Sequence, residues 1–166
     1  MSLVVSDSGP LHYLVLCEAI EVVTKLCGQL VIPSAVAREL AHPHTPPVVR
    51  SWIQKPPQWT RIQSPTQIDP AAHLGLGERE AIALARELKA TQLLIDDRAA
   101  RRIAVERGLL ITGTVGILEQ AATSGFLNLS EALKKLSNTN FRISADVVRE
   151  MIDRDAARRR TGSPGK

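Results

Sequence analysis

Four short apolar runs divide the chain: Leu3-Val4-Val5, Leu30-Val31-Ile32, Leu93-Leu94-Ile95 and Leu109-Leu110-Ile111. Each is too short for a helix and is bounded by polar or turn residues, which reads as a buried strand. Between the runs, apolar residues recur at helical spacing. Pro10 opens a helix predicted over 10–27, with a break near Glu18 and a stop at Gly28. Pro33-Ser34 opens the next, with Ser34 as N-cap and Val36 and Leu40 on one face. A Pro-rich loop over 42–47 leads to a helix carrying Val48, Val49, Trp52 and Ile53, which Pro56-Pro57 stops. Residues 59–62 suit a short edge strand, and 63–76 read as loop.

The clearest helix spans 77–88, where Ala81, Ile82, Ala85 and Leu88 form one stripe. A helix over 98–107 ends at Gly108. Three more are predicted at 115–123, 130–136 and 144–160, with Ser130 and Ser144 as N-caps. Strands that alternate with helices argue for an α/β domain with a parallel sheet and later helices packed outside it. Residues 1–160 are expected to form one domain and 161–166 a flexible tail.

Composition narrows the class. The 166 residues are 44% hydrophobic and 23% charged, with 3% aromatics. That suits a globular chain with a Leu, Ile, Val and Ala core and too few rings for a base-stacking platform. The formal net charge of +4 favours an acidic partner. Much of that excess lies in Arg154, Arg158, Arg159, Arg160 and Lys166, which suit either a solvated tail or a tail that helps to bind phosphates. Cys17 and Cys27 lie in apolar, helix-like surroundings and are expected to be reduced core residues. No stretch is long enough to span a bilayer, and the first residues lack the basic start of a signal peptide. A cytoplasmic protein without a membrane partner is the expectation.

The candidate chemistry lies with five acids. In a parallel sheet, ligands bind beyond the carboxyl ends of the strands. Asp7 follows the first strand, and Asp96 and Asp97 follow the third. Glu39 lies little more than a turn into the helix after the second strand. Glu78 sits three and four residues before Ala81 and Ile82, so it shares the apolar face and points inward. Glu80 and Glu87 occupy a different, solvent-facing side. Acids that converge on one sheet edge repel one another, and a divalent cation offsets that repulsion. Taken singly, Asp7 and Asp97 also suit N-caps, Glu78 a helix-dipole partner and Glu39 a surface residue.

Other motifs are weaker. His42 and His44 lack further ligands for zinc, and His12 and His73 are isolated. Gly75-Leu76-Gly77 lacks the Lys-Ser/Thr ending of a phosphate loop.

The motifs then resemble a family. Val4-Val5-Ser6-Asp7-Ser8-Gly9-Pro10-Leu11 resembles the opening of PIN domains. The second acidic motif is matched by the stretch from Val31 through Pro33-Ser34 to Glu39-Leu40, and the third by Gly77-Glu78-Arg79-Glu80-Ala81. Leu94-Ile95-Asp96-Asp97-Arg98 and the run from Gly108 to Thr114 resemble the closing part. Gly9 departs from the polar Ser or Asn common at that place.

The resemblance implies a three-layer α/β/α sandwich and a metal-dependent ribonuclease. Asp7, Glu39 and Glu78 match the family's first three acids, and the fourth falls on Asp96 or Asp97. Mg²⁺ or Mn²⁺ held by these acids would activate water. Arg98 and Arg101 are candidates to steer RNA phosphates. Ser8, Thr112 and Thr114 are candidates for hydrogen bonds to phosphate or to the acids. Many relatives are toxins, blocked by a small antitoxin partner and often homodimeric. The rival reading is a nucleic-acid- or protein-binding module that keeps the fold without cutting. A phosphatase would need a second acid two residues after Asp7, where Gly9 stands instead.

Overall fold

The computed structural model describes residues 2–162. Five strands form one parallel sheet: β1 (Leu3–Ser6), β2 (Gln29–Pro33), β3 (Thr60–Gln63), β4 (Gln92–Leu94) and β5 (Ile111–Thr112). Their spatial order is β3-β2-β1-β4-β5, so the first strand is central. Val4 pairs with Leu30 on one side and with Gln92 on the other.

Alternation along these strands makes the layers. Successive strand side chains face opposite sides of a sheet. Val4, Leu30, Ile32 and Leu94 enter one core with Leu11, Leu14, Ile117, Leu118 and Leu133. Val5, Val31, Leu93 and Ile95 enter the other with Ala81, Ile82, Leu84 and Ile103. Helices therefore cover both faces, giving the three-layer α/β/α sandwich. On the first face lie α1 (Ser8–Leu16), α2 (Val22–Cys27), α7 (Thr114–Thr123) and α8 (Leu129–Ser137); on the second lie α5 (Leu76–Glu87) and α6 (Arg98–Glu106). The remaining helices are α3 (Ser34–Leu40), α4 (Pro47–Gln54) and α9 (Ala145–Thr161).

The break expected near Glu18 is real: Glu18 adopts φ 57°, and α1 and α2 are separate helices. Cys17 and Cys27 are buried and unbridged, and burial pushes both thiols up. No helix among the described residues is long and apolar enough to cross a membrane.

Several expectations are corrected. The last strand begins at Ile111, because the Leu109 N–H donates back to the Ala104 carbonyl at 3.0 Å and so still closes α6. Leu110 consequently stands 74% exposed. Asn128, not Ser130, caps α8 by accepting the Glu131 N–H at 3.0 Å. Ser34 begins α3 and shares a hydrogen bond with Ser64, so it is not the cap.

Glu80 supplies what Ser34 does not. It accepts the Ala35 N–H at 3.0 Å and is buried, contrary to the solvent-facing position expected. Helix α3 lies along that flank of α5 and excludes water from it. Glu87, expected on the same side, is exposed and accepts both the backbone N–H and the hydroxyl of Thr66.

The loop before α5 is pinned by Asp69. Its carboxylate takes two hydrogen bonds from Arg107, at 2.8 and 3.1 Å, and its carbonyl takes one from Arg79 at 2.7 Å. The Arg107 guanidinium holds the Asp69 carboxyl below its ordinary range.

The terminal arginines form no tail. Arg154 and Arg158 pair with Glu119, while Arg158 and Arg159 pair with Asp155. Met151 of the same helix is buried in the core. Thr161 still belongs to α9, and residues 163–166 of the expected tail lie outside the described residues.

The capping role of Glu80 can be measured. Glu80→Ala should lower the unfolding free energy by about 1–2 kcal/mol in urea titration, as loss of a helix cap does. Glu87→Ala should change it by less than about 0.5 kcal/mol. Equal losses would contradict the assignment.

Candidate active site

The sheet register brings the first acids together. The ladder continues past the strand ends: the Asp7 N–H donates to the Leu94 carbonyl at 2.9 Å, and the Ile95 N–H to Thr112 at 2.9 Å. Asp7, Asp96 and Thr114 therefore leave three adjacent strands at about the same level. Each chain then turns into a helix. Asp7 stands at the N-cap position of α1, Asp97 at that of α6 and Gly113 at that of α7.

Two glycines bring further carboxylates close. A Cβ placed on Gly77, in the first turn of α5, would lie 3.4 Å from Glu39 Oε1 and 3.6 Å from Asp7 Oδ1. Asp7 and Glu39 thus meet over a bare backbone. A Cβ on Gly9 would lie 3.4 Å from Asp96 Oδ2, so Asp96 leans over the first turn of α1. Gly9, where the family often has a polar residue, leaves Asp96 that room.

Glu39, Glu78, Asp96 and Asp97 each accept a hydrogen bond from a nearby protein donor. The Ser8 hydroxyl donates to Glu39 Oε2. The Gly75 N–H donates to Glu78 at 3.0 Å. Asp96 accepts the Thr114 N–H at 2.8 Å and its hydroxyl at 2.6 Å. Asp97 accepts the Ala100 N–H at 2.9 Å. The two neighbouring aspartates therefore differ: Asp96 turns inward, while Asp97 caps α6 on the exposed rim.

Asp7 is the buried member, 6% exposed. Burial pushes its carboxyl up to about 7; the Ser8 N–H opposes this, while Glu78, Glu39 and Asp96 add to the rise. Glu78 is half-buried and also raised, first by burial and then, against the Gly75 N–H, by Asp97 and Glu39. The sequence placed Glu78 inward. Its half-buried carboxylate lies beside Asp7, Glu39 and Asp97 while accepting the Gly75 N–H, and Gly77 is buried next to Asp7.

The flanking candidates separate into two groups. Thr114 is fully buried beneath Asp96, so it positions that acid and is out of reach of a phosphate. The Thr112 hydroxyl donates to Gln92 at 2.5 Å. Arg98 is exposed at the start of α6. Arg101 donates to the Ile95 carbonyl at 3.1 Å, and its Nη1 would lie 2.8 Å from a Cβ on Gly113, where Asp96 Oδ1 would lie at 2.7 Å. Gly113 has an extended backbone open to any residue. Any larger residue there would have to displace the Asp96 carboxylate and the Arg101 guanidinium, which fill the space. The sequence pattern did not single out Gly77 or Gly113; a glycine one residue before a site acid or threonine is the signal that finds both.

His42 and His44 stack edge to face on the exposed loop after α3. Among the described residues, no three His, Cys, Asp or Glu side chains are grouped so that they could hold a metal ion. The donors nevertheless suit a hard divalent cation in kind. They are all carboxylate oxygens, and burial with the neighbouring acids raises the most buried of them, Asp7, to about 7, a cost that a bound cation would offset.

A family model described as a PIN domain matches residues 3–156, and the chain belongs to that family. PIN domains are in general nucleases that use divalent metals, so the sandwich is a nuclease fold. No curated protein and no solved structure matches the chain.

The raised Asp7 carboxyl has a consequence for stability. Unfolded, an aspartate releases its proton near 3.8; folded, Asp7 keeps it to about 7. Between these values the folded chain binds more protons, so this contribution is present at low pH and lost as pH rises through 7. Asp7→Asn should remove that loss, gaining on the order of 2–4 kcal/mol relative to the parent between pH 4 and pH 8. Urea titrations at both pH values check this, and identical pH dependence in the two proteins would contradict it.

Proposed function

We propose that this chain is a divalent-metal-dependent endoribonuclease. The observation that carries the reading is the approach of Asp7, Glu39 and Asp96 around the bare backbones of Gly9 and Gly77, beyond the carboxyl ends of the strands. Asp7, Glu39 and Asp96 are the proposed Mg²⁺ or Mn²⁺ ligands, and Glu78 and Asp97 complete the negative field. A bound cation lowers the pKa of water and neutralises charge on the scissile phosphate.

The chain's own residues set the rest. Thr114 fixes Asp96, and Ser8 fixes Glu39. Glu78, with its raised affinity for a proton, is the proposed general base for the attacking water. Arg98 and Arg101 lie on the α6 side of the cluster, where they are proposed to orient the substrate phosphate. The toxin role, the small antitoxin partner and the homodimer are proposed from the family resemblance.

The test is cleavage of a mixed RNA pool with Mg²⁺, with Mn²⁺ or with a chelator. The parent should cut with metal and not with chelator. Asp7→Asn should reduce cutting at least about 100-fold, and Gly113→Ala, which pushes Asp96 and Arg101 aside, by about 10–100-fold. Cutting by Asp7→Asn at the parent rate would refute the mechanism. Absence of cutting by the parent on the whole pool would favour the binding module.

A further inference from the structure

A cavity of about 1040 Å³ runs from the acid cluster to the C-terminal helix. One end is Asp96 with Arg101. Its floor is α7, from Gly113 past Gly116 and Gln120 to Ser124. Its far wall is the segment before α9 and α9 itself, with Phe141, Arg142, Arg154 and Arg158. Of the charged residues that line it, four are arginines and two are acids, Asp96 and Glu119. Beyond the catalytic end, Glu119 pairs with Arg154 and Arg158, Asp155 also pairs with Arg158, and Arg142 stands exposed on the segment before α9.

We propose that this groove is the track on which single-stranded RNA lies as it enters the carboxylate site, with its phosphates on Arg142, Arg154 and Arg158. The proposal rests on the ribonuclease reading for the direction of the strand but makes its own claim about binding.

Three features favour that occupant. The excess of guanidinium over carboxylate matches an anionic chain. The groove is lined at one end by Asp96, one of the proposed metal ligands, so a strand bound in it ends at the site. It is also confined between α7 and α9, which are held together by Arg154 and Arg158 on Glu119 at 3.2 to 3.4 Å. The half-buried Phe141 ring packs edge to face on Tyr13 at 4.9 Å and offers one stacking surface in the wall.

Glu119 makes the proposal specific. It occupies guanidinium groups that RNA phosphates would otherwise take. Removing its charge while keeping its shape should therefore strengthen RNA binding, which a purely structural ion pair would not do. Arg142 lies on the exposed segment before α9, where truncation leaves the core untouched.

The experiment is fluorescence anisotropy of a short labelled single-stranded RNA with the whole protein in chelator, across a salt series. Arg142→Ala should weaken binding and reduce the slope of log affinity against log salt by about 0.7, the loss of one phosphate contact. Glu119→Gln should bind more tightly than the parent. Arg160→Ala removes the same charge outside the groove and should have a smaller effect. Parent-like binding by both Arg142→Ala and Glu119→Gln, or tighter binding of a duplex of the same sequence, would overturn the proposal. Cleavage that Asp7→Asn abolishes and Arg142→Ala leaves unchanged would also overturn the track while sparing the nuclease. The expected binding pattern in a chain that cuts no RNA with Mg²⁺ or Mn²⁺ would support the track and refute the nuclease.

Discussion

Like charge at one edge of the sheet is the constraint around which this chain is arranged. Five carboxylates gather past the ends of β1, β2 and β4 and on the first turn of α5. Nothing in bulk water requires them to be near one another, and their repulsion works against the fold. The folded chain manages this with neutral donors. Ser8 holds Glu39, Gly75 holds Glu78, Thr114 holds Asp96, and the start of α6 holds Asp97. Asp7, the most buried, instead keeps its proton to about pH 7. A site built this way is stabilised by whatever brings positive charge to it, and it binds that charge in competition with protons.

The arrangement follows from register more than from local sequence. Because β1 is central, Asp7 emerges between the ends of β2 and β4. Glu39 reaches it from one side through α3, and Asp96 from the other through the turn after β4. Helix α5 crosses close to β1 and β2, and its backbone at Gly77 packs directly against Asp7 and Glu39. Glu80, on the same helix, fastens α3 by its first amides. One helix thus places one acid, makes room for two others and holds the element that carries Glu39.

The strands and their order of alternation with helices were legible because four apolar runs are bounded by unambiguous turn residues. The parallel sheet, the break at Glu18 and the edge strand followed from those signals. The family followed from the acidic motifs. What one residue's pattern cannot report is its neighbour across the fold. Helical phase put Glu80 toward solvent, yet α3 covers that flank. Ser34 and Ser130 have the chemistry of caps, but Glu80 and Asn128 reach the amides first. Nothing in Asp96-Asp97 tells the two apart; the difference arises from Thr114, eighteen residues along, and from the space over Gly9. The arginines of α9 read as a tail because their partners, Glu119 and Asp155, become visible only when the helix is packed.

Asp7, Glu39 and Asp96 are proposed to act as one cation site. The most direct measurement is a crystal structure of the chain grown with Mn²⁺, with anomalous scattering recorded at the manganese edge. The predicted result is an anomalous peak bound by Asp7 and Asp96 in front of Gly77, with Glu39 directed at it. A crystal saturated with Mn²⁺ whose acids keep their contacts to Ser8, Gly75, Thr114 and Ala100, with no peak beside Asp7, would contradict the account.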